Sequence, residues 1–406
     1  MAGGCQVGRE EKRGEATHLS RFNEGFCVRM WSGLSEADQL RNGRSSMRKL
    51  RRLIGQELGC AIVVAAVAAA AIAIVATGAR TFSAQAHERT AGTRTFPLGV
   101  TAVPSPALLV LNKSESALVI VDAATLKPTG KIGTGPIPHE VAASTDGKLA
   151  FVTNYGQHQD GTTLSVIDLV AQKELHRVDL APLRGPHGIV YFDGGVWFTA
   201  EGSKKIARYD PKTNSVDWTH DIGQERTHML VVAPDGRTIY TTNVNSDSVT
   251  AVEKDAPGAG WSNTNIAVGK GPEGEDISPD GKELWVANSH DGTVSIIDTA
   301  TKKVVQLIDV KTTFSNRLKF TVDGKRVLIT DMGAGDLLVI EAASRKEVKR
   351  MHLGKSVEGV FVAPDGTRAF VAETAENQIA IVDLSTLEVT KTFTTGQEPD
   401  GMAWVK

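Results

Sequence analysis

One dipeptide recurs along the chain at a nearly fixed interval, and that interval limits the fold more than any other feature. Asp-Gly pairs stand at Asp146-Gly147, Asp193-Gly194, Asp235-Gly236, Asp280-Gly281, Asp323-Gly324 and Asp365-Gly366. Their spacings of 47, 42, 45, 43 and 42 residues fall in the range of repeating β-structures. A short apolar stretch precedes each pair, as in Val141-Ala142-Ala143 or Val360-Phe361-Val362. A β-rich run follows, as in Leu149-Ala150-Phe151-Val152-Thr153-Asn154 or Leu284-Trp285-Val286-Ala287-Asn288. A third strand reads Val294-Ser295-Ile296-Ile297-Asp298 or Ile379-Ala380-Ile381-Val382-Asp383, and a variable fourth completes the unit, as in Lys303-Val304-Val305-Gln306-Leu307. Asp-Gly supplies the positive φ of a tight hairpin, so each unit is expected to be a four-stranded antiparallel meander.

Six complete units follow one another, and pieces of a seventh lie at the two ends of the repeat region. Pro399-Asp400-Gly401-Met402-Ala403-Trp404-Val405 reads as a first strand alone. Ala107–Asn112 and Ala117–Asp122 read as a second and third strand without a first. Pairing the C-terminal strand with the N-terminal ones closes the ring and removes the open edge of a linear array. The expected fold is all-β, a seven-bladed β-propeller over residues 97–406.

The repeating residues resemble the YVTN β-propeller repeat family, whose unit reads approximately P-x-G-(I/V)-A-x-S-P-D-G-x-x-(L/V)-Y-V-(T/A)-N. The match is closest at Pro272 to Asn288 and at Val357 to Ala372. The second blade departs from it with Phe198-Thr199-Ala200-Glu201, the fifth with Ile329-Thr330-Asp331 and the sixth with Val371-Ala372-Glu373. The resemblance implies a surface or periplasmic recognition module as the default role, because a propeller is a platform for many activities.

The amino-terminal region carries an address. Residues 1–46 show no apolar period and read as an unstructured leader that is not translated if synthesis starts at Met47. Met47-Arg48-Lys49-Leu50-Arg51-Arg52 is a basic cluster, followed by an apolar run from Cys60 to Val75 and by Ser83-Ala84-Gln85-Ala86. This order fits a secretory signal over 47–86, with a linker over 87–96. The run is about 16 residues, short for a membrane span; a signal anchor that stays uncleaved is the alternative, and the only membrane attachment expected. A periplasmic or secreted location follows. Cys5, Cys27 and Cys60 all precede the repeats, so the propeller can form no internal disulfide, thiolate metal site or c-type haem attachment. No phosphate-cradling glycine loop is present, and no nucleotide is expected. A net charge of -2 without a basic stripe in the repeats argues against nucleic acid as a partner. A monomer is expected.

In such a blade the innermost strand runs from one face to the Asp-Gly turn and the second runs back. Residues that start the first strand and end the second therefore meet at one mouth of the central channel. The residue six or seven before each Asp-Gly, with its equivalent in the closing blade, gives an inner ring of His139, His187, His228, Glu273, Asn316, Glu358 and Asp400. Three of the chain's ten histidines occupy it. Imidazoles on successive strands could form an open site for Zn²⁺, Cu²⁺ or Mn²⁺, so His139, His187 and His228 are the candidate metal ligands. Solvated histidines that bind an anion would fit the same residues. The ends of the second strands add Asn112, Asn154, Glu201, Asn243, Asn288, Asp331 and Glu373. Asn there belongs to the repeat and is most simply a turn cap; with Asn316 and Asp400, these residues are also the ligand-binding candidates. Arg226, Glu275, Arg317 and His158 flank the ring.

Two functions use this mouth. One is a non-catalytic, exported protein that holds a small ligand, a metal or an envelope partner. The other is a metal-assisted lactonase-like hydrolase or a lyase, with Glu273 or Glu358 as general base and Arg317 neutralising a substrate carboxylate. Copper redox chemistry is a third, thinner option.

Overall fold

A computed structural model describes residues 106–406, apart from 158 and 257–259. The leader, signal and linker segments, the three cysteines and His158 lie outside the described residues. Among the described residues, twenty-eight strands form seven four-stranded antiparallel sheets. Six blades follow in chain order, at 138–179, 186–221, 227–267, 272–309, 315–352 and 360–393. The closing blade is ordered Pro399–Val405, Ala107–Asn112, Ala117–Asp122 and Pro128–Gly133. Its seam pairs Ala107 with Val405, Leu108 with Trp404 and Asn112 with Pro399.

Burial peaks in the middle of each blade. The second and third strands are buried almost throughout, as in Leu328, Ile329, Leu337 and Val339 of the fifth blade. The outermost strands are mostly exposed, as in Lys303–Asp309. Apolar residues of neighbouring blades interleave: Trp285 and Ala287 of the fourth blade pack with Leu318, Phe320 and Val327 of the fifth. Burying such side chains contributes roughly 25 cal/mol per Å² of apolar surface, the main term that holds blade to blade.

The Asp-Gly pairs form turns in two ways. In the second blade Asp193 and Gly194 both have positive φ, 49° and 71°, as a two-residue hairpin requires. In the other five only the glycine does, and the aspartate is occupied differently. Asp146 and Asp280 each accept a backbone N–H two residues on and a serine hydroxyl two residues back. Asp is therefore chosen for its side-chain acceptor and Gly for its backbone.

Two further devices set the width of the channel. The residue after the ring position is glycine in four blades, and a Cβ at Gly274 would stand 2.6 Å from the Asn316 carbonyl oxygen of the next inner strand. At Gly401 it would stand 2.1 Å from the His139 carbonyl oxygen across the closing seam. Threonines near the ends of second strands then stitch each blade to its neighbour. Thr153 Oγ1 donates to the His187 carbonyl at 2.7 Å, Thr199 to His228 at 2.6 Å, Thr242 to Glu273 at 2.9 Å and Thr330 to Glu358 at 2.7 Å. Each acceptor is the backbone of a ring residue, so the bond fixes the ring as well as the junction.

Gly401→Ala is expected to destabilise the protein by about 1–3 kcal/mol, the usual cost of overpacking a tight contact. A urea melt that matches wild type would show that the seam has room the structure does not have.

Candidate functional site at the channel mouth

The mouth is built from two levels of residues set by strand register. Pro138 pairs with Asn154, Thr227 with Asn243, Pro272 with Asn288 and Ser315 with Asp331. The residue after each first-named position belongs to the ring. Six ring residues, His139, His187, His228, Glu273, Asn316 and Asp400, are each the second residue of their innermost strand, and Glu358 lies two residues before its strand at Val360–Val362.

The second-strand ends divide sharply. Asn154, Asn243 and Asn288 are fully buried and donate to hydroxyls of their own third strands, Thr163 and Ser165, Ser248 and Thr250, Thr293 and Ser295. Asn112 donates to Glu115 and to the Thr395 carbonyl. Asp331 accepts from the Thr313, Phe314, Gly333 and Ala334 amides and from the Thr313 hydroxyl. Glu373 is bonded by Gln378. These six side chains hold the blades' own turns and do not reach the channel ligands.

Glu201 differs because the second blade pairs Pro186 with Ala200, so Ala200 takes the turn position and Glu201 lies one step further on. That step turns its carboxylate inward. The same level holds Tyr155 and Lys113, which the sequence reading passed over. Both directly follow an Asn that ends a second strand, and extending the ring by one residue would have found them.

On one side of the mouth, His187, Glu201 and His228 are buried, and each offers a ligand atom within 4.8 Å of the other two. The His187 and His228 rings lie 3.9 Å apart between centroids. His228 Nδ1 is bonded to Glu201, and its Nε2 faces Glu273 Oε2 at 2.7 Å without hydrogen-bond alignment. Tyr155 donates to Glu201 Oε2 at 2.7 Å, and Arg226 lies 3.7 Å from Glu201 and 3.8 Å from Glu273. His187 Nδ1 is buried without a partner. His139 adjoins this group, its ring 4.9 Å from that of His187, and its Nδ1 lies 3.5 Å from Asp400 Oδ2.

The charges follow from these contacts. Burial works against the His228 cation, but Glu273 and Glu201 overcome it and push the imidazole up to about 9. Burial likewise opposes the Glu273 carboxylate, and His228 with Arg226 nevertheless holds it down to about 2. Burial lowers His139 and His187, keeping both neutral. A neutral imidazole with a free ring nitrogen is a metal ligand in its binding form.

The opposite side is an ion-pair cluster. Lys113 is bonded to Glu358 and stands 3.6 Å from Asp400, whose two oxygens are buried without hydrogen bonds. Arg317 points below the ring: its Nε and Nη2 donate to Glu140 Oε1 at 2.9 and 2.6 Å, and its Nη1 to Asn316 Oδ1 at 3.1 Å. Glu275 is set apart from the mouth. It pairs with Val286 at a position filled elsewhere by Leu230 or Leu318, is buried, and takes no hydrogen bond on either oxygen.

A family model described as a YNCE-like beta-propeller matches residues 62–269. YncE of Salmonella typhi is 26% identical over 221 residues, 51% of this chain and 62% of that protein, so the chain matches less than two thirds of that relative's length. Among solved structures, Kuenenia stuttgartiensis hydrazine synthase is 18% identical with a TM-score of 0.62, covering 71% of this chain and 97% of that one. The Pseudomonas aeruginosa periplasmic gluconolactonase PpgL is 16% identical with a TM-score of 0.62, covering 74% and 99%. Dihydro-heme d1 dehydrogenase NirN is 16% identical with a TM-score of 0.55, covering 75% and 76%. At these identities the solved structures share the fold and nothing more is carried over.

Two predictions concern charge. The folded His228 pKa lies above its unfolded value, so its stabilisation is complete below about pH 6.5 and is lost as pH rises through about 9. In chelator-treated protein, His228→Gln should therefore remove on the order of 3 kcal/mol at pH 6 and little at pH 10; equal losses at both values would disprove the charged state. Burial pushes the Glu275 carboxyl well up, so the folded state keeps a proton that the unfolded state releases above about pH 4.5. Stability then falls as pH rises, and Glu275→Leu should stabilise by roughly 1–3 kcal/mol at pH 7.5 and by less at pH 4.5. Urea melts at both values read the difference.

Proposed function

The chain belongs to the YNCE-like β-propeller family, and from that premise we propose that it is an exported binding protein whose channel mouth holds a divalent metal ion through His187, Glu201 and His228. The observation that carries this reading is the approach of three buried ligand groups to within 4.8 Å, one of them with a ring nitrogen that has no other partner. Two imidazoles and one carboxylate are a donor set suited to Zn²⁺, and acceptable to Cu²⁺ or Mn²⁺. The ion would take the place of the His228 proton, and since ligands at about 2.0–2.2 Å from a tetrahedral ion lie roughly 3.5 Å apart, modest side-chain rotations close the site. Three protein ligands leave a position for an outside donor, and a small ligand would complete the coordination there. Tyr155 and Arg226 orient Glu201 from behind, the usual duty of a second layer around an ion. Export rests on the basic cluster, apolar run and small-residue end of the amino-terminal segment.

The metal-assisted hydrolase reading uses the same ion, and the Pseudomonas aeruginosa periplasmic gluconolactonase shares the fold. That reading needs a general base. Glu273 is held down to about 2, a weak base, while Glu358 is locked to Lys113 and Arg317 to Glu140. The arrangement supports binding better than proton abstraction.

The test is metal analysis of untagged protein, followed by calorimetric titration of the chelated protein with Zn²⁺, Mn²⁺ and Cu²⁺. One equivalent of one ion is expected to bind, with affinity lowered at least tenfold in His187→Ala and in Glu201→Gln and unchanged in His352→Ala, an exposed control. Absence of stoichiometric binding, or a His187→Ala variant that binds like wild type, would end the proposal.

A further inference from the structure

Below the ring the channel opens into a second chamber of about 440 Å³ on the Asp-Gly side. Six of the seven innermost strands line it. Its wall is mostly apolar, with Tyr191, Met229, Phe361, Met402 and Trp404, and its charged side chains include Glu140, Arg317 and Lys319. Size, apolar wall and few convergent polar groups are the attributes of a small-molecule site.

One ion pair in its lining spans the channel. The innermost strands touch in the order of the blades, and the strand at 315–320 reaches the strand at 138–143 only through those at 360–362 and 399–405 on the shorter way round. Glu140 and Arg317 therefore stand on opposite walls, 177 residues apart in sequence, and their bond bridges the channel. Arg317 is only 6% exposed. Its Nε–H and one Nη2–H both go to a single oxygen of Glu140, and one Nη1–H goes to Asn316. A guanidinium has five N–H donors, so two are not engaged in these bonds. The pairing is also not the two-oxygen fork in which Arg holds a carboxylate most strongly. Lys319, whose partner is Asp276 at 3.3 Å, adds a second cation to the same wall.

We propose that this chamber is a second binding site, distinct from the mouth, for a compact aryl carboxylate. The ligand's carboxylate takes the unengaged donors of Arg317, and its aromatic body lies among Met229, Tyr191, Phe361, Met402 and Trp404. The apolar wall selects a flat hydrophobic body, and the buried guanidinium selects an anion over a neutral molecule of the same shape. The site does not depend on a metal at the mouth.

Calorimetry with 2-naphthoate, and with 2-naphthalenemethanol as the neutral counterpart, tests the assignment. Naphthoate is expected to bind with an affinity at least tenfold above that of the alcohol. Met229→Trp fills the chamber without touching the ion pair and should weaken naphthoate at least tenfold. Glu140→Gln/Arg317→Gln removes both charges together, so no buried charge is left alone, and should reduce naphthoate to the level of the alcohol. His187→Ala should leave naphthoate binding unchanged, which separates this site from the mouth. Equal affinity for acid and alcohol, full binding in Met229→Trp, loss of binding in His187→Ala, or no binding at millimolar naphthoate would each overturn the proposal.

Discussion

The pairing of Pro399–Val405 with Ala107–Asn112 is the constraint on which everything else in the propeller rests. A row of seven sheets could curl to any radius and would leave two unpaired edges. Once the last inner strand is bonded into the first sheet, the innermost strands must share one axis. Glycines such as Gly274 and Gly401 let successive strands approach to backbone contact, and the threonine-to-carbonyl bonds at His187, His228, Glu273 and Glu358 hold that approach. Side chains at the strand starts then have nowhere to go but toward one another.

That crowding explains the electrostatics of the mouth. Buried charges are costly unless compensated by opposite ones. Glu201 and Glu273, brought together by closure, are compensated by a protonated His228 between them and by Arg226 above. Across the channel Glu358 and Asp400 share Lys113, and Glu140 takes Arg317. His187 differs from these charged groups, since its neutral ring has a neighbour at 3.9 Å but no ion-pair or hydrogen-bond partner for Nδ1. A buried neutral donor or acceptor left without a partner marks where an outside group would be accommodated.

Much of this could be read from the chain itself. The Asp-Gly interval and the split seventh unit gave the blade count and the closure, and counting back from the six turns, with Asp400 as the equivalent in the closing blade, gave the ring. Such counting works because strand register has a period of two and the turns pin it. It was less exact where one blade shifts: Glu201, a ligand-binding candidate grouped with the strand-end residues, lies one step beyond the position that Asn fills elsewhere, because the second blade pairs Pro186 with Ala200. Lys113 and Tyr155 were missed for the same reason, as no repeat residue marks their level. The Glu140–Arg317 bridge lay beyond reach altogether. A linear pattern assigns each residue to a blade and a height, but pairing across the axis depends on side-chain length and lean, which only the assembled ring determines.

The bridge also changes what the channel is. A pair on opposite walls stands between two groups of residues of unlike chemistry. One group gathers nitrogen and oxygen donors around His187, and the other presents aromatic and thioether surface beneath a single buried guanidinium. Six of the seven innermost strands contribute to both, with the residues at their starts at the mouth and residues further along in the lower lining.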